Sequence, residues 1–249
     1  MPAQTHRIQL ENLRMPIIDN ITVNISLDEL RKRLHMQKDQ DPGELQPLID
    51  VAMQLIEPRA LYDVHYIEEK LEDAVIVNGR RLKSRVLRKN LDHVERIFPF
   101  VITIGSKLGE KQAASTDLLE NFYLDTIGNV ALTSARKQLK RHLESQFALE
   151  KISSMAPGSL ADWPIEEQAP LFKLLGDVNT SIGVTLTDSL LMLPAKSISG
   201  IYFPTEVSFF SCQLCPRERC ESRKAKYSPK LAEEYGLKGS EVQGSGFKG

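Results

Sequence analysis

The chain has 249 residues, 41% hydrophobic and 26% charged, with a formal net charge of −1. That make-up fits a soluble globular protein with one large core or two modest ones, and it leaves no electrostatic footprint for nucleic acid. No apolar run reaches the roughly 18 residues a membrane helix needs, and the opening MPAQTHRIQLENLR lacks a signal-peptide core, so a cytoplasmic protein without a membrane partner is expected.

Pro16 to Ile25 (PIIDNITVNI) reads as an extended, β-branched entry strand that closes an N-terminal segment, 1–25. In SLDEL, Ser26 can accept from the Glu29 N–H while the Glu29 side chain reaches back, which predicts a short helix to about His35. DQDPGE reads as a turn, and Leu45 to Ile56 has helical spacing with Pro47 in its first turn. ALYDVHYIEE and DAVIVNG carry β-branched and aromatic residues, and Asn78-Gly79 marks a turn into RRLKS. A helix is expected around Arg85 to Leu91, and RIFPFVITIG predicts a buried strand ending at Gly105.

Ser115 to about Glu150 is the longest helical pattern, with Leu119, Phe122, Ile127, Val130, Ala131, Ala135, Leu139 and Leu143 on one core-facing stripe. Gly128 interrupts it, at about 1 kcal/mol relative to Ala in an exposed helix; close approach of another backbone or a kink would account for it. The cluster RKQLKRH reads as a solvated helix face rather than an anion site. SSMAPGSLADWP is a loop by composition, EEQAPLFKLLGDV has a helical middle, and IGVTLTDSLLMLPAKSISGIYF reads as two strands and a turn. SPKLAEEYGL predicts a short helix with Ser228 as N-cap and Pro229 at its first position. The tail 239–249, GSEVQGSGFKG, reads as disordered. A mixed rather than repeating order points to the α+β class, with a main domain at 26–205 and a cysteine-motif segment at 206–238.

The three cysteines are Cys212, Cys215 and Cys220. Clustered thiols in a reducing compartment argue for a metal or redox role rather than a disulfide framework. Three thiolates favour zinc or an iron–sulfur cluster. Zinc needs a fourth ligand, from His6, His35, His65, His93, His142 or an acidic residue. A [4Fe–4S] cluster on three thiolates leaves one iron open. Lys196 can meet an anionic group or snorkel from a strand edge, Trp163 reads as a packing residue, and Asp125 and Glu120 face either a ligand amine or solvent. No catalytic-triad order, P-loop or dinucleotide fingerprint is present.

Met155 to Phe203 resembles the activation (S-adenosylmethionine-binding) domain of cobalamin-dependent methionine synthase. The resemblance is carried by Ala156-Pro157-Gly158, LFKLL, GVTLTDS and the run Pro194, Ser197, Ser199, Gly200, Tyr202, Phe203. TIGSKLGE, LDTIGNVAL and the terminal C-x2-C-x4-C-x2-R ending at Arg223 resemble its stand-alone anaerobic members. The resemblance implies a curved antiparallel sheet flanked by helices. It implies cofactor contacts at Met155, Ala156, Gly158, Lys196, Ser197 and Ser199, with S-adenosylmethionine as ligand and cobalamin carried by a partner corrinoid protein or methyltransferase. A component or activator of methionine synthase follows, supporting reductive reactivation and methylation of the corrinoid. At Cys212, Cys215 and Cys220 it implies an iron–sulfur cluster, [4Fe–4S], with zinc as the alternative. The family's Arg-x-x-x-Gly-Tyr motif meets Ser154 at its Arg and Ser159 at its Tyr, so the competing expectation is an interaction module that kept the fold and lost the ligand site.

Overall fold

The computed structural model describes residues 16–19, 21–36, 43, 45–220 and 223–237. The tail 239–249 and most of the DQDPGE turn lie outside the described residues. The chain is α+β, as its mixed pattern predicts.

The hub is strand β6, Arg96–Thr103, buried at every position after the first. Strand β2 (Arg59–Tyr62) pairs with its second half and strand β3 (His65–Lys70) with its beginning, both along one edge. Pro99 is tolerated in this central strand because its carbonyl accepts from Asp63 N at 3.1 Å. Its missing N–H therefore falls on the edge where β2 gives way to β3, and no ladder bond to the other neighbour is lost. That neighbour is β10, Ser197–Pro204, which covers Phe98 to Thr103 along the opposite edge and also pairs with β7, Ile152–Met155. Strands β1 (Ile17–Ile18), β4 (Ala74–Val77) and β5 (Arg80–Lys83) complete an eight-stranded, wholly antiparallel sheet. Asn78 and Gly79 turn β4 into β5, both at positive φ (47° and 65°), as the dipeptide predicts.

Alternation along β10 sends Tyr202 to one face of the sheet and Ile201 and Phe203 to the other. On the first face lie helices α1 (Leu27–Arg33), α2 (Leu45–Leu55), α4 (Lys107–Ala114) and α5 (Leu118–Gln146). Ser26 caps α1 as predicted, but the Glu29 side chain turns outward to Arg33 at 3.0 Å and Lys137 at 3.6 Å. The stripe of α5 starts one turn later than its pattern suggests: Leu124 is buried, while Leu119 and Phe122 are exposed. On the other face lie α3 (Arg85–Asn90), α6 (Gln168–Leu174) and the C-terminal helix α8 (Pro229–Glu234), with Trp163 fully buried among them. Helix α7, Val178–Ile182, covers Leu61 and Val101. A hairpin, β8 (Thr185–Leu186) with β9 (Met192–Leu193), precedes β10.

Several expectations are corrected. The entry strand shrinks to Ile17–Ile18, and the stretch to Ile25 is instead tied to α5, where Asn24 N donates to Ser134 Oγ at 2.9 Å. Residues 153–155, expected to be loop, join Ile152 in β7, because four residues are too few to show a period. Residues 178–182, of which only Ile182 falls in the expected strands, form a helix capped by Asp177. The close neighbours of Gly128 are side chains rather than a backbone: an added Cβ would lie 3.1 Å from Leu108 Cδ2 and 3.2 Å from Lys196 Cε, so the glycine makes room for both.

Gly200 is tightly enclosed, since a Cβ there would stand 2.6 Å from the Met155 carbonyl oxygen and 3.2 Å from the Phe100 ring. Gly200→Ala should lower the denaturation midpoint by about 1–3 kcal/mol of stability with an unchanged m-value; an unaltered midpoint would show that the contact is slack. A second test concerns His65, whose Nε2 lies 3.0 Å from Asp63 Oδ2 and 3.1 Å from Leu174 O. The hydrogen bond to Asp63 raises the imidazole pKa despite desolvation. The contribution is therefore full below about pH 6.5 and is lost as pH rises through the raised folded-state value. Unfolding free energy should fall from pH 6 to 8, and His65→Gln should remove that part of the slope; an unchanged slope would assign it elsewhere.

Candidate functional site

The turn after β7 is built by strong local constraints. Ala156 precedes a proline and is held extended, and Gly158 sits at φ 77° with its N–H donating to Trp163 O at 2.8 Å. A Cβ on Gly158 would meet Ile165 Cδ1 at 3.0 Å and ask that side chain to shift, but it is the backbone angle that calls for glycine. Ser159 N donates to Ala156 O at 3.1 Å and closes the turn. Asp162, almost wholly buried, accepts from Val86 N at 2.9 Å, from Ser84 Oγ and from Arg85 Nε at 3.2 Å, which locks the turn to the start of α3. Met155 turns its side chain inward, where Asn90 Nδ2 lies 3.8 Å from its sulfur, while Gly158 and Ser159 stay exposed.

The other expected contacts lie in the first half of β10 and just before it. Lys196 Nζ donates to Asp125 Oδ1 at 2.7 Å and Asn129 Oδ1 at 2.8 Å, so this cation and the Asp125 carboxylate satisfy one another. Ser197 Oγ bridges Thr103 Oγ1 at 3.0 Å and Pro194 O at 2.7 Å. Ser199 is buried and accepts from Gln168 Nε2 at 3.0 Å. Glu120 is held by Lys111 and Ser115. Lys196 to Ile201, the partner of Met155, is five residues, about 16 Å of strand. Met155, Ala156 and Gly158 thus form one locality, and Lys196 and Ser197 another at the far end of the strand.

The cysteine segment folds back onto the first locality. Phe209 N donates to Ser153 Oγ at 2.8 Å, and Ser159 Oγ to Ser211 Oγ at 3.4 Å. Leu214, Cys215 and Tyr227 join the apolar cluster of Trp163 and Phe203. Arg223 holds the loop together: its guanidinium donates to the carbonyls of Cys212 (3.2 Å), Cys215 (3.3 Å), Ala225 (3.2 Å) and Arg217. Lys224 N donates to Cys212 Sγ at 3.4 Å. Cys215 is half-buried and Cys220 exposed. No group of three or more His, Cys, Asp and Glu side chains gathers closely enough to share a metal ion among the described residues. His65 is engaged by Asp63 and Leu174, and His142 Nε2 lies 3.0 Å from Tyr62 Oη, so neither is placed as a fourth ligand; His6 lies outside the described residues.

Sequence reasoning missed Arg136. It sits one position after buried Ala135, on the flank of the α5 stripe, and its Nη2 donates to Ser154 Oγ at 2.6 Å. The basic cluster is therefore not uniformly a solvated face, and the flanking position was the available signal. Arg223→Ala should raise amide exchange across residues 212–217 without lowering the global melting temperature; unchanged exchange would mean the loop holds itself.

Residues 151–227 match the family described as "Vitamin B12 dependent methionine synthase, activation domain". No curated protein matches the chain. Among solved structures the chain is similar to "Crystal Structure of the MetH Reactivation Domain bound to AdoHcy", at 15% identity and a TM-score of 0.53, over 80% of this chain and 81% of that one. At that identity the likeness is one of fold, a curled antiparallel sheet with helices on both faces. The resemblance expected from the sequence is thus met by the family match at residues 151–227, and the chain has the fold of the MetH reactivation domain.

Proposed function

We propose that this chain binds S-adenosylmethionine at the 154–159 turn and presents it to a corrinoid carried by another protein or methyltransferase module, supporting reductive reactivation of the corrinoid by methylation. The observation that carries this reading is that the family-matched segment includes an exposed, glycine-required turn anchored at β7, Asp162 and α3. The corrinoid supplies a reduced cobalt nucleophile and S-adenosylmethionine supplies the methyl group. The chain itself binds and orients: a preorganised backbone turn meets the ligand with little ordering cost. Absorption spectroscopy of a Co(II) corrinoid protein with a chemical reductant tests the reading. Adding this chain with S-adenosylmethionine should accelerate loss of the Co(II) signal, and leaving out either should abolish the acceleration. No acceleration, with no S-adenosylmethionine binding by calorimetry, would overturn it.

A second reading concerns the cysteine loop: Cys212, Cys215 and Cys220 hold an iron–sulfur cluster, with zinc as the alternative. It is favoured by the Lys224 N–H aimed at Cys212 Sγ, the kind of bond a metal-bound thiolate accepts, and by the Arg223 contacts that gather two of the three cysteines. Because the three sulfurs are not gathered as a ligand set, the loop would have to close further around the metal. Iron, sulfide and zinc analysis of anaerobically purified protein decides it. About four iron and four sulfide per chain are expected; stoichiometric zinc would leave only a structural centre, and neither metal would remove the reading.

A further inference from the structure

Folding lays the basic end of α1 against the basic stretch of α5. Arg33 Nη2 donates to Thr133 Oγ1 at 3.4 Å, 100 positions away in the chain, and to Glu29 Oε1 at 3.0 Å. Lys137 Nζ reaches the same carboxylate at 3.6 Å. One helical turn further on, Lys140 pairs with Glu144, and Arg141 follows Lys137 on the same side of α5. Arg136 flanks this group and Arg141 is exposed; neither has a carboxylate partner among the described residues. In this patch five cations stand against two carboxylates, Glu29 and Glu144, although the whole chain has a net charge of −1. The packing of α1 on α5 concentrates like charge on one surface, and self-repulsion there costs stability that the fold does not recover.

We propose that this face of α1 and α5 docks an acidic surface of the protein that carries the corrinoid, an assignment that rests on the reading above and names the partner surface it needs. Position supports it. Arg136 Nη2 donates to Ser154 Oγ at 2.6 Å, so the patch runs into β7, the strand that leads to the 154–159 turn. A partner seated on the patch has its edge at that turn, where the methyl group is handed over. Charge decides the class of partner. Carboxylates interleaved with cations suit the mixed, short-range complementarity of a protein surface and oppose the uniform phosphate line of a nucleic acid. Lying on a membrane needs apolar residues beside the cations. The exposed Leu118, Leu119 and Phe122 are instead at the other end of α5, Phe122 about 21 Å of helix from Arg136.

Calorimetric titration of the full chain with the Co(II) corrinoid protein reads docking separately from methyl transfer. The dissociation constant should rise about tenfold between roughly 50 and 300 mM salt. Lys137→Glu combined with Arg141→Glu should weaken binding by about tenfold or more at the lower salt and remove most of the salt dependence, with S-adenosylmethionine affinity unchanged. Lys137→Gln with Arg141→Gln should fall between the two, which separates graded electrostatics from a fold defect. Lys83→Glu, on exposed β5, should change neither affinity. Equal affinity for the corrinoid protein in the wild type and the Glu variant would overturn the docking face and leave S-adenosylmethionine binding standing. So would a wild type that binds S-adenosylmethionine but not the corrinoid protein. Loss of duplex-DNA or anionic-vesicle binding in the Glu variant, with corrinoid-protein affinity intact, would also overturn it. A wild type that binds neither S-adenosylmethionine nor the corrinoid protein would overturn the underlying reading and this face with it.

Discussion

The structure depends on the approach of β7 to β10 at Gly200. With no side chain there, the Met155 carbonyl comes to a position that a Cβ would occupy. Met155 then pairs with Ile201 and Ser154 with Tyr202, and both faces of the strand pair are filled at once. Tyr202 stacks on Phe100 at 4.6 Å between ring centroids and donates to the Arg136 carbonyl, which sets α5 against the sheet. Phe203, Ile201 and Met155 meet Trp163 on the other face. The turn at Ala156 to Ser159 is therefore not a free loop but the end of a strand whose position is fixed from two sides.

The C-terminal segment adds a second layer of constraint. Its apolar residues join an existing cluster, and four of its backbone carbonyls share one guanidinium. Arg223 does for this loop what a metal does in other short segments: it gives several inward carbonyls a common partner, at the ordinary strength of charge-assisted hydrogen bonds. A metal on the cysteines would add to that arrangement rather than create it. This separates two questions that the cysteine spacing alone merges, what orders the segment and what its thiols bind.

Much of this was legible in the sequence where one residue type had one physical job. Asn78-Gly79, Ser26, Ser228 with Pro229, and the buried run of β6 all appear as their types and spacing predict. What failed to show were elements too short for a period, such as β7 and α7, and jobs set by distant partners. Gly128 could not announce Lys196, 68 positions away in the chain. Arg136 looked like one basic residue among several, and only the packing of α5 on β7 reveals that it alone points at Ser154. The ordered motifs from Ala156 to Phe203 were legible as a family pattern because they preserve the turn, the glycine contact and the strand together.

The central claim is that the turn after β7, against which the segment around Ser211 folds, receives the ligand. Hydrogen–deuterium exchange of the full chain with and without S-adenosylmethionine tests it most directly. The account predicts slowed exchange in residues 153–159 and 211–224 together, with little change at β4 and β5 on the far end of the sheet. Unchanged exchange in both segments, or protection confined to the Lys196 end of β10, would contradict it.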